Sequence, residues 1–294
     1  MFRIATLADW FKVGLLEGIR ESERCGATGV QLYAWNELNP FEITKDKIAE
    51  VRRVADGCGQ TVTALCGELS EVMPGHGLEI RQDNPRKIEF LKRTIDLAKE
   101  LGCDVVTTHI GVVPETEDDP RYAALHDACD EIGAYAKTVD AWVAIETGPE
   151  PVKRLCGFVD SCESGRVAVN YDPANLVMVT DDDEVAGVYT AGKRIVHTHA
   201  KDGVLRNYLG PRKIYDIFAE GGIEALAKIP DYFAETPLGQ GSVRWVPYLK
   251  ALREVGYDGY LTIEREVGKD AAADIRLAVG FLKETLQAIQ GRPN

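Results

Sequence analysis

Residues 194–202, RIVHTHAKD, place two histidines, a lysine and an aspartate at the end of an apolar run. Side chains alternate sides along a strand, so His197 and His199 share one face. Three more short apolar runs in the C-terminal half close in the same manner: WVAIE on Glu146, RVAVNYD on Asp172 and YLTIE on Glu264. Each stops at a residue type that ligates divalent metal. If the runs are strands of one parallel sheet or barrel, their C-terminal ends lie side by side, and three carboxylates and an imidazole converge.

Strand and helix signals alternate along the rest of the chain, the pattern of a parallel sheet with crossover helices. FRIATLA is followed by a helical run over residues 11–25, which Gly26 ends, and then by the strand GVQLYA. A helix behind the N-cap Thr44 aligns Ile48, Val51 and Val54, and leads to the strand TVTALC. The next helix takes Asn84 as N-cap and Pro85 at its first position, buries Ile88, Leu91, Ile95 and Ala98, and stops at Gly102. DVVTTH, ending on His109, is the fourth strand. Helices over residues 120–138 and 151–162 lead to the fifth and sixth strands, and the acidic run 181–184 opens another helix, where the helix dipole favours negative charge.

Residues 203–237 form an insertion directly after His199, with a short helical reading around 213–219. Insertions after a strand's C-terminal end lie over a barrel's active face, so this one is expected to be a lid. Ser242 caps a helix carrying Trp245, Leu249 and Leu252, YLTIE is the eighth strand, and a last helix aligns Ile275, Val279, Leu282, Leu286 and Ile289. Eight strand–helix units in 294 residues predict a (β/α)8 TIM barrel, one domain over residues 1–294 with a long insertion after strand seven. An open doubly wound sheet would carry a glycine-rich turn after its first strand, and ATLADWF has no glycine.

The formal charge of −13 opposes duplex nucleic acid, whose phosphates need a basic footprint. No apolar run approaches the ~20 residues of a membrane span, and MFRIATLADWF reads as a first strand, not a signal peptide. Seven cysteines without a CxxC spacing read as reduced thiols. A cytoplasmic enzyme with a small-molecule substrate, and with neither nucleic acid nor membrane as partner, is the expectation; homo-oligomerisation stays open.

Glu146 and Asp172 are 26 residues apart and Asp172 and His199 are 27 apart, close to the ~30 residues of one βα unit. Three carboxylates with one imidazole make a hard site that favours Mn²⁺ or Mg²⁺ and can also hold Co²⁺ or Zn²⁺. The carboxylates outnumber the charge of one such ion, which leaves a glutamate to act as base.

IET at 145–147, YDPAN at 171–175, HAKD at 199–202, PLGQG at 237–241 and GYDGYLTIERE at 256–266 resemble the xylose-isomerase-like sugar phosphate isomerase/epimerase superfamily. The resemblance implies a TIM barrel with one metal ion on Glu146, Asp172, His199 and Glu264. In ketose 3-epimerases of that group the residues matching Glu146 and Glu264 are also the acid/base pair, on opposite faces of the sugar. Where those epimerases place a histidine three residues after the metal-binding aspartate, this chain has Asn175, and Arg206 lies near the place of their substrate-binding arginine.

Each candidate also has a plainer reading. A glutamate after a strand is commonly a solvated loop residue; it is the coincidence of four that favours a metal site. His197 reads as a hydrogen-bonded structural histidine, and His109 as either a substrate contact or a satisfied core residue. His126 reads as surface, and His76, in PGHG, as a substrate contact or a turn residue. Trp10 and Trp35 suit walls for a sugar ring as well as ordinary packing. Lys201 and Asp202 bind substrate oxygens or pair with each other; Cys66 is a buried small hydrophobe, and Glu266 is the alternative ligand to Glu264.

The favoured activity is a metal-dependent sugar isomerase or epimerase working through an enediolate on a keto sugar or polyol derivative. A lyase or dehydratase of an oxidised sugar or inosose is the first alternative, because the same enolate can expel a β-hydroxyl. Further off stand an apurinic endonuclease and a non-catalytic sugar-binding module.

Overall fold

The computed structural model describes residues 2–229 and 231–290; residues 1, 230 and 291–294, inside the expected domain, lie outside the described residues. The strands in chain order are β1 (Arg3–Leu7), β2 (Gly29–Tyr33), β3 (Thr61–Cys66), β4 (Val105–Thr108), β5 (Trp142–Glu146), β6 (Val167–Tyr171), β7 (Ile195–Ala200), β8 (Asp202–Leu205), β9 (Phe233–Thr236) and β10 (Tyr260–Ile263). All but β8 and β9 close into a parallel barrel in the order β1-β10-β7-β6-β5-β4-β3-β2. The expected (β/α)8 barrel is therefore the fold. An open sheet is excluded by the pairing of β1 with β10, Arg3 against Tyr260 through Thr6 against Ile263.

The helices are α1 (Leu15–Arg24), α2 (Lys45–Gly57), α3 (Asn84–Leu101), α4 (Pro120–Thr138), α5 (Val152–Ser161), the single turn α6 (Pro173–Asn175), α7 (Glu184–Ala191), α8 (Pro211–Ala227), α9 (Trp245–Glu254) and α10 (Ala271–Gln290). The core lies between their apolar stripes and the outward strand faces. On α10 the predicted stripe is buried, with Ile275, Val279 and Leu282 at 0% exposure. Each such side chain contributes roughly 1.5–3 kcal/mol by leaving water, so packing more than helix propensity holds this helix in place.

Several predicted boundaries move. The run over 11–25 splits into a 3₁₀ turn, Ala8–Phe11, and α1, because Lys12 turns left-handed at φ 58° and Gly14 follows at φ 87°. Asn84 is not the cap of α3: it lies within the helix and donates to the carbonyls of Leu78 and Ala124, which ties α3 to the preceding loop and to α4. Ser242 does not cap α9 either, whose first residue is Trp245. Thr44 does cap α2, accepting from the Lys47 amide at 3.3 Å. His126 is half-buried, stacked on Tyr122 and bonded to the Ser161 carbonyl.

The insertion is more ordered than its sequence suggests. β8 and β9 pair antiparallel, Asp202 against Thr236 through Leu205 against Phe233, and α8 extends well beyond the expected 213–219. Its helix reaches loops that follow barrel strands. Arg212 bonds Glu79, after β3, at 2.6 Å, and a Cβ built on Gly148, after β5, would come within 2.5 Å of the Tyr215 hydroxyl. No described helix is long and apolar enough to cross a membrane. All seven cysteines are free thiols.

Candidate metal centre and active site

Glu146 ends β5, Asp172 follows β6, His199 lies in β7 and Glu264 follows β10. These four strands are consecutive around the barrel, so residues far apart in sequence meet. One ligand atom from each lies within 4.8 Å of the other three, and all four residues are buried. Opposite ligands of a single divalent ion stand about 4–5 Å apart, so the donor set fits one ion.

The decisive atom is Asp172 Oδ2. Asp172 Oδ1 accepts from the amides of Ala174 and Asn175 at 2.7 and 3.2 Å, which caps α6 and fixes the carboxylate. Oδ2 is buried and has no partner. A buried carboxylate oxygen without a donor is costly unless a cation completes it.

The electrostatics of the cluster agree. Burial lifts the Asp172 carboxyl to about 7, with Lys201 opposing and Glu146 and Glu264 adding to the rise. Burial also pushes against ionised Glu264, but His199 and Lys201 outweigh it and hold its carboxyl down at about 2. Glu146 is likewise held well below the usual range, burial being overcome by His109 and His199. Burial opposes a charge on His199, yet Glu264 and Glu146 raise it well above its ordinary value. In a cluster with this much negative charge, the imidazole is recruited as the cation.

A layer of buried polar side chains beneath the cluster aims it. Gln31, on β2, donates to Thr107 Oγ1 at 2.8 Å and accepts from His199 Nε2 at 3.0 Å. That bond keeps a proton on Nε2, so Nδ1, 3.3 Å from Glu146 and 3.4 Å from Glu264, is the nitrogen that faces the cluster, protonated towards the glutamates until an ion takes its place. Asn170 donates to Glu146 Oε2 at 3.0 Å and accepts from His197 Nδ1 at 2.8 Å, while Asn175 donates to Glu146 Oε1 at 2.9 Å. His197 also meets Thr262 at 3.2 Å, as a structural histidine should, and burial lowers it to about 3. Gln31 and Asn170 escaped the sequence reading. Their signal was there: an amide at inward parity within GVQLY and VAVNY, two residues before Tyr33 and Asp172.

The remaining candidates separate. His109 Nε2 stands 3.5 Å from Glu146 and its Nδ1 3.7 Å from Glu68, with a third of its side chain exposed. Lys201 donates to Glu264 at 2.9 Å and to Glu266 at 2.6 Å, which makes Glu266 a partner of the lysine. Trp10, Tyr33 and Trp35 form an aromatic group with Leu7 and Cys66; Tyr33 stacks on Trp35 at 4.1 Å and meets the edge of Trp10 at 5.9 Å. Burial raises the Tyr33 phenol well above its ordinary value, helped by Cys66, Glu264, Glu266 and Glu68. His76 faces Asp216 of α8 at 3.5 Å, and Arg206 is half-exposed and bonded to Asp231 at 2.8 Å, so neither is drawn into the cluster.

A family model described as xylose isomerase-like TIM barrel matches residues 19–285. The chain belongs to this family. A crystal structure of a xylose isomerase domain protein from Planctomyces limnophilus is similar at 25% identity and TM-score 0.77, over 99% of both chains. A D-tagatose 3-epimerase-like protein is similar at 17% identity and TM-score 0.73, over 98% of both chains. Two uncharacterised proteins of Methanocaldococcus jannaschii match at 23% and 25% identity over 69% and 58% of this chain; the matches span only 63% and 55% of their own lengths.

Proposed function

We propose that this xylose isomerase-like barrel is a divalent-metal-dependent isomerase or epimerase that moves a proton beside the carbonyl of a keto sugar or polyol ketone. The observation that carries the reading is the orphaned Asp172 Oδ2 within four buried ligand side chains. Glu146, Asp172, His199 and Glu264 hold the ion, with Mn²⁺ or Mg²⁺ favoured by the oxygen-rich set. When bound, the ion supplies Lewis-acid polarisation of the substrate's carbonyl and adjacent hydroxyl. The likeness to an epimerase-like protein supports the same reaction class.

The two glutamates divide the proton work. Glu146 and Glu264 stand on β5 and at the end of β10, with β6 and β7 between them, so a substrate seated over the cluster has one carboxylate towards each face. One takes the proton from the carbon next to the carbonyl and the other returns it. Return to the same carbon from the opposite face gives an epimer, and return to the neighbouring carbon gives an isomer. Asn170 and Asn175 hold both Glu146 oxygens in place, and Lys201 holds one oxygen of Glu264, Oε2. The β8–β9 hairpin with α8 serves as the lid that keeps water from the enediolate.

The test is solvent-deuterium exchange into ketoses and polyol ketones with metal-replete protein. Exchange at the carbon beside the carbonyl is expected, and Glu146→Gln or Glu264→Gln lowers it by ~10²–10⁴-fold, with metal content measured in each variant. Wild-type exchange in both variants at full metal content overturns the assignment. A product lighter by one water moves the reaction to the lyases.

A further inference from the structure

The first part of α8 is an arm between two glycines. Gly210, just before it, has φ 85°, and Gly222, which interrupts the helix, has φ 62° and ψ −165°, a region that glycine alone enters freely. The foot of the insertion, by contrast, is fixed to the barrel. At the start of β8 the Asp202 carboxylate accepts from the amides of Gly203, Gly239, Gly241 and Val243 and from the Trp245 indole, all at 2.9–3.2 Å. Glu235, on β9, accepts from the buried Arg265 at 2.7 Å. Motion of the insertion is therefore concentrated in residues 211–221, between the two glycines.

That arm rests on a platform held from below. In the loop after β3, the carbonyl of Gly77 accepts from Lys87 at 2.6 Å, the carbonyl of Leu78 accepts from Asn84 at 3.0 Å, and the Leu78 amide donates to the Ile110 carbonyl at 2.7 Å. Lys87 and Asn84 are themselves buried. So is the next residue, Glu79, whose Oε1 accepts from the Val112 amide at 2.9 Å and whose Oε2 accepts from Arg212 of α8 at 2.6 Å. Arg121 comes only to 3.6 Å of that second oxygen. Lifting α8 would strip a buried carboxylate oxygen of its hydrogen-bond donor, which gives the docked position a hold that an exposed ion pair lacks.

On the same arm, Tyr215 reaches the mouth of the barrel. A Cβ on Gly148 would stand 2.5 Å from its hydroxyl and 3.0 Å from the Asn175 Cβ, so the hydroxyl and Asn175 flank one spot. Asn175 is the residue that donates to Glu146 Oε1 at 2.9 Å, which puts the phenol on the Glu146 side of the cluster. Burial raises that phenol well above its ordinary value, with Glu146, Glu150 and Asp172 adding to the rise and Lys201 opposing it, so it keeps a proton to donate. We propose that α8 is a latched lid and that Tyr215 is a catalytic residue it carries: with Arg212 on Glu79, the Tyr215 hydroxyl donates a hydrogen bond to the substrate oxygen nearest Glu146. This rests on the functional reading above and adds a donor to it from outside the barrel strands. Release of Arg212 withdraws the hydroxyl and opens the mouth for substrate and product to pass.

Two readouts test this. Amide hydrogen exchange of the ligand-free protein reads the latch: Arg212→Met should speed exchange over residues 211–221 at least ~10-fold while the barrel strands keep their protection, and Arg212→Lys should restore part of the loss. Unchanged protection of α8 in Arg212→Met overturns the latch. Solvent-deuterium exchange into ketopentoses and ketohexoses on the metal-loaded protein reads the hydroxyl. Tyr215→Phe, which keeps the ring, should lower kcat at least ~10-fold at unchanged metal affinity, whereas Arg212→Met should act mainly by raising KM, because fewer molecules hold the closed form. A wild-type rate in Tyr215→Phe overturns the contact and leaves the glutamate chemistry standing; loss of metal from that variant makes Tyr215 a structural residue and overturns it too. If the wild-type protein labels none of these ketones, the functional reading falls and the catalytic role of Tyr215 with it, while amide exchange still decides the latch.

Discussion

The mouth of the barrel has two unlike halves built on the same strand geometry. β5, β6, β7 and β10, neighbours around the ring, end in Glu146, Asp172, His199 and Glu264, each tied to further polar groups by hydrogen bonds. β1, β2 and β3, neighbours on the other side, end in Leu7, Tyr33 and Cys66, with Trp10 and Trp35 packed on them. β4, with His109 after it, stands at the seam. The ligand half depends on angle and charge, so it needs a supporting layer; the aromatic half depends on area and shape, and tolerates more. One link joins them below the surface: Gln31 of the aromatic half's β2 reaches across to His199 of β7 at 3.0 Å.

The largest effect should come from breaking the ligand half at its centre. Asp172→Ala removes the orphaned oxygen, and stoichiometric metal binding in titration calorimetry should disappear, with activity down at least ~10²-fold. Retained stoichiometric binding would show that the remaining three residues suffice. Next, Gln31→Leu cuts the link between the halves. Freed of its acceptor, His199 can present either nitrogen, and metal affinity should fall ~10–100-fold while the melting curve keeps its cooperativity. Unchanged affinity would mean that Glu146 and Glu264 alone orient the ring.

A pH experiment sharpens the point that buried charge is costly where no cation compensates it. Glu150, in the loop after β5, is buried with Oε1 unpartnered, and burial lifts its carboxyl to about 8, with the Val113 amide opposing. Its folded value lies above the unfolded one, so the proton is held more tightly in the folded state. The associated stability is present below the unfolded value of ~4.3 and is lost as pH rises through about 8. Glu150→Gln should therefore match wild type near pH 4 and become more stable as pH rises, by roughly 5 kcal/mol at pH 8.5. Thermal melts at the two pH values test it, and a pH-independent difference would contradict it. The smallest effect belongs to the aromatic half: Trp35→Ala removes a stacking contact of about 0.5–1.5 kcal/mol, so KM for the substrate should rise up to ~10-fold while metal affinity stays put. A loss of metal there would show that the halves are not separable.

How much of this was readable along the chain depends on the kind of residue. A strand that ends on Glu146 or Glu264 announces itself, because an ionisable group stops an apolar run at a fixed phase. Asn84, by contrast, reads as a cap, since its neighbour Pro85 suits a first helical turn; the contacts it makes with Leu78 and Ala124 come from separate parts of the chain. Asp202 is a similar case: its five donors include residues 37 to 43 positions downstream. Arg206 showed the limit of matching by proximity in sequence, because the β8–β9 hairpin carries it to Asp231 at the exposed end.

The sequence by itself determined the alternation of strands and helices, the closed eight-fold barrel and the four strand-end residues that could share an ion. It could do so because side-chain period and unit length are local properties, and a barrel converts equal spacing along the chain into adjacency on one rim. Only the tertiary structure decided which nitrogen of His199 faces the cluster, which carboxylate oxygen is left without a partner, and which cations are already spent on internal pairs. Those are properties of atoms brought together from different strands, where a shift of one ångström or one ring flip changes the answer while the letters stay the same.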